Sequence, residues 1–255
     1  MNIVVIGAGR VGSALSLAFR KAGHNLVKII SRTESKASAL ASEFNCAYAG
    51  NPYIDIAADI IIISVNDDSL TDVINNLDFI GQPVIAHTAG SIAMDIFHGK
   101  IPDHGVFYPL QTFTKGRDYE FDGIPLFIEG SNKKSLDTLN SLALSISNKV
   151  YDIDSSRRKY LHLAAVFSCN FVNHMYAAGK EISKLAETDF EVLLPLMQET
   201  LDKAASMGPE RSQTGPAIRN DKKTIEKHLD LLSFSHDLQE IYSLLSKSIT
   251  KKYKG

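Results

Sequence analysis

Three glycines in Gly7-Ala8-Gly9-Arg10-Val11-Gly12 stand at the first, third and sixth places of a turn. The apolar run Ile3 to Ile6 leads directly into it, and Ala14, Leu15, Ala18, Phe19 and Ala22 follow at helical spacing. A strand, a glycine turn and a helix in that order suit a dinucleotide pyrophosphate. Gly7 permits the tight turn, Gly9 lets the backbone approach the phosphates, and Gly12 brings helix and strand together. The helix start then offers free N–H groups and the positive end of its dipole, with Ala8, Arg10 and Val11 completing the cradle.

The end of the second strand distinguishes NAD from NADP. A carboxylate there, about 20 residues past the glycines, bonds the ribose 2′-hydroxyl of NAD. This chain has Ser31-Arg32-Thr33 instead, with Glu34 the nearest acid. A guanidinium pairs with a 2′-phosphate and two hydroxyls can donate to it, so the expectation is NADP(H); the alternative is an Arg32 that points into solvent. Two later segments belong to the same site by topology: Val65-Asn66-Asp67 and His87-Thr88-Ala89-Gly90-Ser91, each following a strand. Ala89 and Gly90 are small enough for the backbone to pass close to a flat ring. His87 is either a proton donor or a structural residue bonding a neighbouring carbonyl.

Further polar groups lie in the second half. On a helix expected from Arg157 to Leu185, His162 and Asn173 share a stripe, about three turns apart, while Asn170 lies roughly 80° away. Ala165, Val166 and Cys169 surround them, so these are either satisfied buried groups or catalytic ones. In the loop Thr214 to Asp221, Arg219 suits a two-pronged hold on a carboxylate, and Asp221 could orient His162 or Arg219; an ordinary loop ion pair is the alternative.

The elements that must position these residues follow from periodicity. Leu26–Ile30, Ile60–Val65, Pro83–Ala86, Val106–Tyr108, Pro125–Ile128 and Lys149–Ile153 read as strands, with helices at Ser35–Phe44 and Ser135–Ile146 between them. Such alternation predicts an α/β fold: a Rossmann doubly wound parallel sheet over residues 1–153. From residue 154 strand patterns stop, and an all-helical domain over 154–255 is expected, with helices at Arg157–Leu185, Phe190–Met207 and Leu231–Lys251. The ligand cleft is expected between the two domains. Leu193, Leu194, Leu196, Met197, Leu201, Leu231, Leu232, Leu244 and Leu245 exceed what one thin helical layer requires, which predicts a homodimer.

Composition narrows the class. A net charge of −2 and 22% charged residues argue against a nucleic-acid partner, and 44% hydrophobic residues supply a core. Cys46 and Cys169 are far apart and lack metal-site spacing, so neither a disulfide nor a metal is expected. The start of the chain does not read as a secretory signal and no segment approaches a membrane span, which predicts a cytoplasmic protein.

Taken together, the glycine turn, Ser31-Arg32-Thr33, His87-Thr88-Ala89-Gly90-Ser91, Tyr108-Pro109-Leu110-Gln111-Thr112-Phe113, His162 to Phe167 with Asn170, and Thr214 to Asp221 with His228 fit one group in order. The chain resembles the Rossmann-like NADP oxidoreductases with a helical carboxyl-terminal domain of unassigned function. That group is similar in layout to pyrroline-5-carboxylate reductase, ketopantoate reductase and the β-hydroxyacid dehydrogenases. The pattern has His where Tyr108 stands and Gly where Asn220 stands. β-Hydroxyacid dehydrogenases also carry a helix lysine where this chain has Val166. The resemblance implies a reductase for a small carbonyl or imine bearing a carboxylate. His162 or His87 would supply the proton, Asn170 would hold the carbonyl oxygen and Arg219 the carboxylate. Hydride exchange between NADP and a deazaflavin or flavin is a sister reading. A non-catalytic NADP-sensing protein is the alternative of a different class.

Overall fold

The computed structural model describes residues 1–97 and 99–253. The chain alternates β1 (Asn2–Ile6), α1 (Arg10–Lys21), β2 (Asn25–Ile30), α2 (Glu34–Phe44), β3 (Ala47–Ala49), β4 (Tyr53–Ile54), β5 (Ile60–Ile63), α3 (Asp67–Asn75), β6 (Asp78–Phe79) and β7 (Val84–His87). It continues through β8 (His104–Pro109), β9 (Leu126–Gly130), α4 (Lys133–Leu144), β10 (Val150–Asp152) and α5 (Ser155–Ala165). Eight strands form one sheet in the order β10-β9-β8-β7-β5-β1-β2-β3, and β4 with β6 forms a small separate pair. β1 lies between β2 and β5, both parallel to it, so the winding reverses there. Ligands of open α/β sheets bind in the crevice outside the carboxyl ends at such a point.

The apolar runs read in the sequence are the central strands. Ile60 to Ile63 are buried throughout because α-helices cover both faces of the sheet. One face packs Val5, Phe19, Ile29 and Phe107, the other Val4, Ile61, Ile85 and Phe97. The expected parallel sheet reverses once: β9 runs antiparallel to β8, and β10, parallel to β9, runs with it against the other six strands. No helix is present between Leu110 and Pro125 to carry the chain back across the sheet, and a parallel return needs such a crossover.

Chain contacts divide the protein into two compact units, Met1–Asn170 and Phe171–Gly255, whereas the texture of the sequence changes at residue 154. The second unit is helical: α6 (Val172–Leu185), α7 (Leu194–Met207), the short α8 (Pro209–Ser212), α9 (Lys222–Leu231) and α10 (His236–Tyr253). The helix expected from Leu231 to Lys251 is interrupted. α9 ends at Leu231, and α10 begins after Ser235, whose hydroxyl accepts from the Leu238 N–H at 3.4 Å. A serine that bonds the backbone of the following turn is a start signal, not a helix interior. Among the described residues no helix is long and apolar enough to cross a membrane.

Candidate active site

Two cavities lie at the carboxyl ends of the strands in the first unit, about 620 and 790 Å³ in volume. Both are lined by Gly9, Ser64, Val65 and Asn66, so the glycine turn is their common wall. The turn is shaped for close approach. Gly7 has φ +114°, and a Cβ there would overlap the Ser64 carbonyl oxygen. A Cβ on Gly12 would overlap the carbonyl oxygen of Gly7, so only glycine lets α1 start this close to β1. Gly9 meets nothing within 4 Å and faces open space. The first turn of α1 holds no acid and Gly9 provides no side-chain cap, which leaves its N–H groups for phosphate oxygens. These residues fit a dinucleotide.

The smaller cavity continues to the adenosine end. Ala8, Ser31, Arg32 and Thr33 line it, together with Lys36 in the first turn of α2, a residue whose role was not legible in the sequence. Arg32 is exposed and makes no hydrogen bond or ion pair among the described residues. Arg32 and Lys36, two cations whose side chains make no hydrogen bond or ion pair among the described residues, line one cavity with Ser31 and Thr33, which favours a phosphorylated ribose.

The larger cavity is lined on the cofactor side by Arg10, Val11, Asp67, Thr88, Ala89 and Gly90. Asp67 accepts from the Ser91 hydroxyl, which ties α3 to the loop after β7. Across from them stand Tyr108 to Phe113 at the end of β8, and His162, Ala165, Val166, Cys169 and Asn170 from α5 onward. His162 and Asn170 both line this cavity. Asn170 lies inside a π-helical turn, Val166–Phe171, which is wider than the regular α-helix on which the roughly 80° offset is counted. Asn173 lies in the second unit and is exposed.

Tyr108 also lines this cavity, and sequence reasoning did not single it out as a site residue. Its phenol oxygen lies 2.9 Å from His162 Nδ1, with the rings edge to face. Burial pushes the Tyr108 phenol up to about 12, the Arg158 guanidinium acting the other way. The signal available in sequence was its position at the carboxyl end of a strand, beside the expected ligand crevice.

His87 is not the proton donor that one reading allowed. It is fully buried and does not line the cavity. Burial first, and the Arg158 guanidinium second, bring its pKa down to about 3, so it stays neutral. Its Nδ1 accepts from the Ala89 N–H at 3.1 Å and its ring stacks on Phe97, which anchors the Ala89–Gly90 loop.

Asp221 is also corrected. Its carboxylate accepts from the Thr224 N–H at 3.1 Å and from the Thr224 hydroxyl at 2.7 Å, capping α9. Those bonds, and more weakly Arg219, hold its carboxyl below the usual range. Asn220 has φ +54°, a conformation asparagine tolerates, which explains how it stands where the resemblance has glycine. Arg219 is exposed in the second unit and makes no hydrogen bond or ion pair among the described residues. No group of described His, Cys, Asp or Glu residues could hold a metal ion.

A buried network stands behind this wall. Arg158 is 1% exposed and pairs with Glu129 on β9. It also donates to the Ile92 carbonyl at 2.6 Å and to Ser155 Oγ at 3.1 Å. Ser155 donates to Glu129 and accepts from the Met94 N–H at 2.9 Å. One arginine thus fixes α5, β9 and the segment after Gly90 to each other.

Comparison with known proteins agrees with this geometry. Residues 2–90 match the family "NADP oxidoreductase coenzyme F420-dependent", and residues 124–249 match a domain of unknown function (DUF2520). A search among curated proteins finds no match. Among solved structures, the chain is 41% identical to the "putative NADP oxidoreductase BF3122 from Bacteroides fragilis", covering 98% of each chain with a TM-score of 0.89. The fold is shared with 1-pyrroline-5-carboxylate reductase from Streptococcus pyogenes, at 16% identity, 98% of each chain and a TM-score of 0.63. It is shared too with a reductive aminase from Aspergillus terreus that holds NADPH, at 12% identity, 98% of this chain, 94% of that one and a TM-score of 0.76.

Proposed function

The chain belongs to the family of NADP oxidoreductases that carry this helical carboxyl-terminal domain, and from that premise we propose that it reduces a small carbonyl or imine bearing a carboxylate. The observation that carries the reading is the continuous wall from the glycine turn to the His162–Asn170 face. Bound NADPH would supply a hydride from its nicotinamide ring. Gly7, Gly9 and Gly12 would seat the pyrophosphate, and Val65, Asn66, Thr88, Ala89 and Gly90 the ribose and nicotinamide end. His162 would deliver a proton to the substrate oxygen or nitrogen, and Asn170 would hold that atom in place.

Arg32, with Ser31, Thr33 and Lys36 beside it, sets the preference for the phosphorylated cofactor. Arg32→Ala is expected to weaken NADPH by about tenfold or more in a binding titration and to leave NADH unchanged. Equal affinities for both cofactors in the wild-type protein would remove this assignment.

The described first-unit cavity holds Arg10 at the phosphate end and no cation beside His162. Arg219 is the candidate for the substrate carboxylate, and ketopantoate, then pyrroline-5-carboxylate, are the first compounds to try. Arg219→Ala should raise KM strongly with NADPH affinity intact, and Arg219→Lys should do nearly as badly because an ammonium lacks the planar fork. A large fall in melting temperature instead would make Arg219 a fold residue.

The active species is a homodimer. Among the described residues of the second unit, Ser183, Ala217 and Leu232 are buried, while Leu185, Leu196, Leu201, Leu231 and Leu244 are each more than 60% exposed. So much apolar surface needs cover, and a second copy supplies it. Light scattering should give twice the 28.0 kDa chain mass; a monomer at every concentration contradicts the assignment.

A further inference from the structure

We propose that Tyr108 works through His162: its phenol donates to Nδ1, fixes the neutral imidazole with its proton on Nε2, and refills Nδ1 as the Nε2 proton leaves for the substrate. The inference rests on the reductase reading of the cavity.

Among the described residues the Tyr108 phenol oxygen has one hydrogen-bond partner, His162 Nδ1, at 2.9 Å. The pairing is held from below. A Cβ on Gly90 would lie 2.5 Å from His162 Nδ1 and 2.8 Å from Tyr108 Cζ, so the two rings close over a position with room for hydrogen alone. β8, the loop after β7 and α5 each contribute one member, and the Arg158 network locks α5 to that loop one turn away. A phenol that keeps its proton is the donor in this pair, and burial keeps it so. A neutral imidazole carries one proton, so a bond accepted at Nδ1 puts it on Nε2.

The proton count then closes. Hydride addition leaves an electron pair on the substrate oxygen or nitrogen, which forms a bond to the Nε2 proton as the Nε2–H bond breaks. The Tyr108 O–H proton moves to Nδ1, so the imidazole stays neutral and the phenol becomes phenolate. Burial disfavours that phenolate and the Arg158 guanidinium offsets part of the cost, so the phenolate is transient and water returns the lost proton afterwards. Tyr108 is therefore a positioning and relay residue, with His162 the group that touches substrate.

The test reads His162 by nitrogen NMR in the full chain without ligand, at a pH where the ring is neutral, in wild type, Tyr108→Phe and Gly90→Ala. The wild type should show the proton on Nε2 alone. Both variants should show a mixture of the two forms, Gly90→Ala by forcing the rings apart with the phenol intact. With NADPH and ketopantoate or pyrroline-5-carboxylate, Tyr108→Phe should lose about tenfold or more in kcat with KM within about twofold. A wild type that turns over but carries its proton on Nδ1, or an unchanged ratio in Tyr108→Phe, overturns the relay alone. Failure of the wild type to turn over, with the Nε2 form present, overturns the reductase reading and the relay with it.

Discussion

His162→Gln is expected to lose about 10² to 10⁴ in kcat while binding NADPH as tightly as the wild-type protein. His162 and Asn170 both line the larger cavity. With His87 buried, neutral and off the cavity, His162 is the remaining histidine among those lining residues. Glutamine keeps polarity and much of the volume but cannot release a proton at ordinary pH, so the loss reports chemistry and not packing. Single-turnover rates and a cofactor titration on the same preparation separate the two. A variant within about threefold of wild type would show that the proton comes from elsewhere.

Arg158→Met should cost about 3 to 5 kcal/mol of stability, seen as a fall of roughly 10 °C in melting temperature. The guanidinium is 1% exposed and its Glu129 partner 14% exposed, so removing one charge strands the other in a site that water scarcely reaches. Its Nε already lacks a partner among the described residues, and the side chain is held by its two terminal nitrogens. The double variant Arg158→Met with Glu129→Gln should recover part of the loss, because no unpaired charge then remains buried. Shifts under about 2 °C for the single variant would mean that Glu129 is solvated after all.

The parts of this fold legible in sequence were those with a local signal. The run Ile60 to Ile63 and the glycine turn carry their structure within a few residues, as does the missing carboxylate after β2. Where the outcome depended on partners far along the chain, the sequence was silent. Asp221 was read as able to orient His162 or Arg219 because α9, the helix that it caps through Thr224, was not among the expected helices. His87 was ambiguous because its burial comes from strands on both sides of β7. The π turn that contains Asn170 was not legible because it has no period of its own to read. Arg158 carried no signal: on a helix of ordinary polarity, an arginine that ends in a buried pair looks like any surface arginine.

An NADP-dependent reductase whose proton comes from the His162 wall must consume its cofactor, so the decisive measurement is NADPH consumption by the wild-type protein. Ketopantoate, pyrroline-5-carboxylate and a series of further 2-oxo acids are the compounds to supply. At least one of them should consume NADPH in equal amount with the reduced product formed, and far faster than with NADH. Tight NADPH binding with no consumption across the whole series would contradict the reductase assignment and leave a protein that binds the cofactor without using it.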